Sequence, residues 1–116
     1  SMSEQIKKDY LEKIEYYDRS ISQYARHIQA CKEKLVELEG ELKTYQALLA
    51  VLNLKEGNIR VERNLKDSIE ETERHIKYQN NQLDLYESNL KMRTEDLHTY
   101  KTLLTVLTLG ESDVTV

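Results

Sequence analysis

The residues of this chain that are capable of chemistry are three histidines, one cysteine, eight tyrosines and scattered carboxylates. Glu95 and His98 form a Glu-x-x-His pair, a spacing that di-iron helix bundles use at inward-facing positions. Here both residues fall on the outward side of the heptad pattern described below, and the sequence contains no second such pair. A buried metal site needs ligands that point inward, so the pair predicts a solvated helix face and no metal.

Cys31 and most tyrosines fall at positions that we expect to face a partner helix. A packed thiol without a neighbouring base or cation is not an activated nucleophile. Tyrosine rings can pack in such a seam while their hydroxyl groups reach water at its edge. The tyrosines at these positions are Tyr10, Tyr17, Tyr24, Tyr45, Tyr86 and Tyr100. Because a glycine-rich phosphate loop and a nucleophile motif are also missing from the sequence, we expect no enzyme activity and no cofactor.

A seven-residue apolar rhythm runs through the chain twice and sets the elements that carry these residues. A long 3–4 alternation of apolar residues is typical of helices packed along a coiled-coil seam. In the first half, the first seam row is Ile14, Ile21, Ile28, Leu35, Leu42 and Leu49, and the second seam row is Tyr10, Tyr17, Tyr24, Cys31, Leu38, Tyr45 and Leu52. In the second half, the first seam row is Ile69, Ile76, Leu83, Leu90, Leu97 and Leu104.

One break interrupts this rhythm, at residues 53–58. Gly57 is suited to end a helix and Asn58 to cap the next one, so we predict a turn over residues 55–58. Ser3 is the predicted cap of the first helix and Gly110 the predicted end of the second. The sequence thus predicts a single all-α domain over residues 1–116, with helices at about 4–54 and 59–109 and a frayed tail at 110–116. The two helices form an antiparallel coiled-coil hairpin.

The two halves resemble each other at an offset of 55 residues. Residues 42–56 read LKTYQALLAVLNLKE, and residues 97–111 read LHTYKTLLTVLTLGE. This similarity suggests an internal duplication of one helix. Folding about Gly57 pairs seam residues whose numbers sum to about 114, and the separately identified heptads then interlock. Three of the resulting layers are imperfect, namely Leu42–Thr72, Leu35–Gln79 and Ile21–Arg93.

Composition excludes several classes of function. The net charge of −4 is spread along the chain, and no basic stripe is available to neutralise phosphates, so we expect no nucleic-acid partner. No apolar run approaches the ~20 residues that a membrane-spanning helix needs, and we expect no membrane partner. The polar N-terminal residues carry no signal-peptide core, and the single cysteine suits a reducing compartment. These features predict an intracellular, cytoplasmic protein.

A second group of apolar residues lies outside the seam. Its members share positions next to the seam that one partner helix cannot cover. We name them the outer apolar set; they are Tyr78, Leu85, Met92 and Val106, widened by Leu48 and Leu103. Because a lone two-helix hairpin buries little surface per residue, the set predicts association with another copy into a four-helix bundle.

The pattern favours a non-enzymatic interaction or scaffold module that self-associates and presents a helical face to a partner of unknown identity. One alternative is a small regulatory protein, for example encoded by a phage or mobile element, that binds and blocks an enzyme. Another is a segment of a longer coiled-coil protein. Coiled-coil patterning occurs in many unrelated proteins and does not discriminate among these functions.

Overall fold

The structure, a computed structural model, describes residues 1–55 and 58–115, with side chains described as far as residue 111. It contains two long α-helices, α1 (Met2–Asn53) and α2 (Ile59–Thr115). The helices pack against each other as a hairpin, which confirms the predicted all-α class. The predicted turn residue Gly57 lies outside the described residues.

The N-terminus of α1 is capped by Ser1, and the prediction of Ser3 is wrong. The backbone N–H of Glu4 donates to Ser1 Oγ at 3.2 Å, and the Ser1 amino group lies 3.2 Å from Glu4 Oε2. The first contact satisfies the Glu4 amide, which the first helical turn leaves without a partner, and the second pairs the N-terminal ammonium with a carboxylate. The Ser3 hydroxyl instead donates to Glu111 Oε1 on α2, which ties the first turn of α1 to the late part of α2.

The junction between the helices uses local hydrogen bonds. At the end of α1, the backbone N–H groups of Leu54 and Lys55 each donate to the carbonyl three residues earlier, at 3.2 Å. At the start of α2, Asn58 Oδ1 accepts from the backbone N–H of Arg60 at 2.9 Å and of Val61 at 3.4 Å. Asn58 therefore has the N-cap geometry that its type and position predict.

Gly110 does not end α2, and that prediction is wrong. The helix continues through Gly110 to Thr115. A glycine ends a helix when it adopts a positive φ, and none of the described glycines does so. Glycine permits this conformation without requiring it, and the apolar residues before Gly110 extend the α2 face that packs on α1.

The described chain divides into two compact units: unit 1 comprises Ser1–His27 and Tyr86–Val116, and unit 2 comprises Ile28–Leu85. In unit 1, tyrosine rings from the two helices interleave. The Tyr100 ring lies 5.8 Å from the Tyr10 ring and 5.7 Å from the Tyr17 ring, and Tyr86 lies 6.2 Å from Tyr24. As α1 advances from Tyr10 to Tyr24, its partners on α2 step back from Tyr100 to Tyr86, so the helices of this unit are antiparallel.

Unit 2 contains the best-covered side chains of the described chain. Leu38 is only 2% exposed, and Ile28, Cys31 and Leu35 are also buried. These four residues come from consecutive seam positions of α1, as the heptad pattern predicts. Apart from Thr72, which is buried, the other predicted seam residues of both units are half-buried, as expected for residues covered by a single partner helix.

The polar residues in the seam are accommodated in different ways. Thr72, in unit 2, is 5% exposed, and its hydroxyl donates to the Ser68 carbonyl at 2.8 Å. This bond to the preceding turn satisfies the hydroxyl without a partner across the seam. Arg93, in unit 1, is half-buried, lies beside the Tyr17 ring and reaches Asp96 Oδ2 at 3.4 Å. The contacts with the Tyr17 ring and the Asp96 carboxylate accommodate the guanidinium at this half-buried position.

Candidate interaction surface

The residues with potential for catalysis or metal binding are not brought together. Glu95 and His98 are both exposed on α2, as their heptad positions predict. Among the described residues, no group of three or more His, Cys, Asp or Glu side chains is arranged to hold a metal ion. Cys31 is a free, buried thiol in the seam of unit 2. These side chains form no recognisable reactive constellation.

One depression beside Tyr16, in unit 1, has a volume of 460 Å³ and combines aromatic rings with charges. Its lining is Asp9, Glu12, Lys13, Tyr16 and Tyr17. All five residues come from α1, so the depression runs along one helix and is not enclosed by a second element. Ligand sites that bury most of a small molecule need a deeper concavity, and this depression does not provide one.

The geometry of the outer apolar set follows from helical spacing. Neighbours three or four residues apart lie side by side on a helix, so Leu103 adjoins Val106. Tyr78, Leu85 and Met92 are seven residues apart and lie along one side of α2, two turns from each to the next. Leu48 occupies the same heptad position on α1 that Leu103 occupies on α2, immediately before the first seam row.

All six members of the outer apolar set are exposed to solvent in the hairpin. In unit 2 these are Leu48, Tyr78 and Leu85, and in unit 1 they are Met92, Leu103 and Val106. The structure thus places the set on the outside of α1 and α2, although it contains no second copy that would test whether the set forms an interface. Between its members on α2 lie the half-buried polar residues Gln82, Asn89 and Asp96.

The other flank of the seam has a different character. This flank consists of the positions four residues after the first seam row, and it is exposed throughout the described chain. Most of its side chains are charged or polar: Asp18, Lys32, Glu39 and Gln46 on α1, and Lys66, Glu73, Asn80, Glu87, Thr94 and Lys101 on α2. Charged residues are depleted from the centres of protein interfaces, so the flank with the outer apolar set is the better candidate surface.

Two further exposed apolar residues lie near the candidate surface but are not members of the outer apolar set. Val51 adjoins Leu48 at a spacing of three residues, and Leu109 follows Val106 at the same spacing; both are exposed. The sequence contained a signal for them. Val51 and Val106 occupy equivalent places in the two similar segments, as do Leu54 and Leu109, so one member of each pair identifies the other.

Comparisons with known proteins do not provide an identity: no protein family, curated protein or solved structure matches the chain. In the described part of the chain, neither helix is long and apolar enough to cross a membrane.

Proposed function

We propose that this protein is a non-enzymatic interaction module that associates with a second copy of itself through the outer apolar set. The observation that carries the proposal is the exposure of all six members of the set, three in each unit. Their heptad positions assign them to the same flank of the seam. Two hairpins related by a two-fold axis would cover this flank in both chains and form a four-helix bundle.

The amount of exposed surface supports association. The chain exposes 8851 Å², whereas the size relation for compact folded monomers gives about 6,600 Å² for 13.7 kDa. Specific protein interfaces remove roughly 600–1,000 Å² from each partner. A hairpin dimer of ordinary interface size would therefore use less than half of the excess and leave surface for another partner.

Burial of the outer apolar set would favour association. Fully burying an exposed Leu or Met side chain stabilises by about 1.5–3 kcal/mol, so covering the exposed part of a half-exposed one contributes about 1 kcal/mol. Six such side chains on each of two chains offset much of the cost of association. The scaffold role follows because a rigid bundle offers its remaining helical faces to other proteins.

The test is sedimentation of the wild-type protein and of a double variant, Leu85→Glu with Met92→Glu. We expect the wild type to be a dimer and the variant to be a helical monomer, because buried carboxylates oppose association. The matched control is Leu11→Glu with Val36→Glu, two exposed apolar residues outside the set.

The control should remain a dimer with an unchanged dissociation constant. A wild type that is monomeric at high concentration would contradict self-association. A Leu85→Glu/Met92→Glu variant that stays dimeric would place the interface on another face.

A further inference from the structure

The two duplicated segments have the same environment in the structure although they belong to different helices. We name residues 42–54 copy A and residues 97–109 copy B. Copy A lies in unit 2 and copy B in unit 1. Tyr45, Leu49 and Leu52 of copy A are half-buried, and so are their equivalents Tyr100, Leu104 and Leu107 of copy B. Both copies therefore turn the same side toward their partner helix.

The outward sides of the copies also agree. Leu48 is 49% exposed and its equivalent Leu103 is 37% exposed, while Val51 and Val106 are 54% and 60% exposed. In each copy the leucine and the valine are three residues apart and adjoin on the helix surface. The hairpin thus displays the same Leu–Val pair twice, once in each unit.

The two copies differ from the rest of the chain in charge. Residues 44–54 and residues 102–110 contain no charged side chain, and they are the two longest uncharged runs in a chain that is 33% charged. A helix that carries apolar residues beyond one stripe is typically covered on more than one side. In the hairpin only the seam side of each copy is covered, so each copy retains an apolar side for a further contact.

We infer that copy A and copy B are two equivalent docking sites for a second copy of this chain. The inference rests on the proposed self-association and specifies how it is built. A second copy is the occupant because every chain carries both docking sites. In a dimer with a two-fold axis, each of the four docking sites can contact a docking site of the other chain. The excess exposed surface described above is large enough for a contact at each site.

The experiment compares two matched variants by measuring the dimer dissociation constant in sedimentation equilibrium. One carries Leu48→Glu with Val51→Glu, and the other carries Leu103→Glu with Val106→Glu. If the two sites are equivalent, each variant should raise the dimer dissociation constant at least tenfold, and the two increases should agree within about threefold. Val36→Glu, an exposed change in unit 2 outside both copies, should have no effect.

The variant with all four changes then reports how the sites pair. If copy A docks on copy B of the other chain, either two-residue variant already breaks both contacts, and the four changes weaken the dimer no further than two. If each copy docks on its own equivalent, the two factors multiply. Both results support two equivalent sites.

Helicity measured by circular dichroism identifies any variant that fails to fold. For such a variant, the uncharged versions Leu→Gln and Val→Thr at the same positions provide the comparison. Factors that differ by more than about threefold, or a dimer that no variant weakens, would overturn the inference while leaving self-association intact. A wild-type monomer would overturn the proposed function as well, so the two failures are distinguishable.

Discussion

Unit 1 and unit 2 are built from the same two helices, yet their seams are filled by different side chains. Unit 1 contains six of the eight tyrosines, whereas the buried apolar residues Ile28, Cys31, Leu35 and Leu38 all lie in unit 2. The difference has a steric origin. A tyrosine ring is long and its hydroxyl seeks water, so a ring between only two helices leans toward the edge of the seam and stays half-exposed.

The seam of unit 2 is more deeply buried because its side chains are smaller. Cys31 and Thr72 occupy little volume in the seam, and the aliphatic side chains around them need no contact with water. Unit 1 compensates through contacts between rings and cations, such as Lys13 Nζ at 5.3 Å from the centre of the Tyr100 ring. One heptad pattern therefore supports both an aliphatic and an aromatic seam. Residues that align at the offset of 55 allow the two seams to be compared position by position.

The largest expected difference concerns two seam leucines that align at the offset of 55 residues. Leu35→Ala, in unit 2, should lower the free energy of unfolding by about 2–4 kcal/mol, because Leu35 is 8% exposed. Its equivalent in unit 1 is Leu90, which is half-buried, and Leu90→Ala should cost only about 1–2 kcal/mol. Urea unfolding at one fixed protein concentration measures both values, because association contributes to apparent stability. Equal losses would show that the two seams are equally well packed.

A smaller effect is expected from the aromatic contacts. Tyr100→Leu should lower the free energy of unfolding by about 1–2 kcal/mol, because the ring contacts two other tyrosine rings and Lys13. The matched control is Tyr45→Leu at the equivalent position of unit 2, where the structure gives Tyr45 no aromatic neighbour among the described residues. We expect a change below about 0.5 kcal/mol there. A loss at Tyr45 as large as that at Tyr100 would contradict a special role for the rings of unit 1.

The smallest expected effect comes from replacing a helical glycine by alanine. This change alters the helix propensity of the backbone without altering the packing of the seam. Gly40, in unit 2, is a helical residue, and a Cβ atom added to it would meet nothing within 4 Å. Gly40→Ala should therefore raise the free energy of unfolding by about 0.5–1 kcal/mol. Gly110→Ala, with equally open space in the last turns of α2, should give a smaller gain because helix ends fray. Thermal unfolding tests both, and a loss of stability at either position would mean that its Cβ atom meets a neighbour.

Local errors in the sequence-based prediction cluster at the helix ends. The heptad rows identified the seam, and the cap at Asn58 follows from a side chain that bonds its own next turn. Ser1 and Ser3 are both acceptable N-cap types, and only the position of the first turn decides between them. Gly110 is compatible with either continuation or termination of a helix, and contacts made by the surrounding residues decide the outcome.

The candidate surface was only partly predictable for a related reason. Periodicity identifies which residues share a side of a helix, so Leu85, Met92 and Val106 were grouped from the sequence alone. Periodicity does not predict how far the partner helix buries each side chain. The same heptad position is half-buried at Gln82 and exposed at His75, because cover depends on the side chains that the partner helix places opposite each residue.

The sequence by itself determined the helical class, the two seam rows and the similarity of the segments at residues 42–54 and 97–109. Helix periodicity and local capping act within a few residues of each other, so they can be read along the chain. Only the tertiary structure decided that the aliphatic side chains of unit 2 are buried while the tyrosines of unit 1 interleave in a half-open seam. Burial depends on the shapes of residues that are far apart in sequence and adjacent in space, and that information exists only once α1 and α2 have packed together.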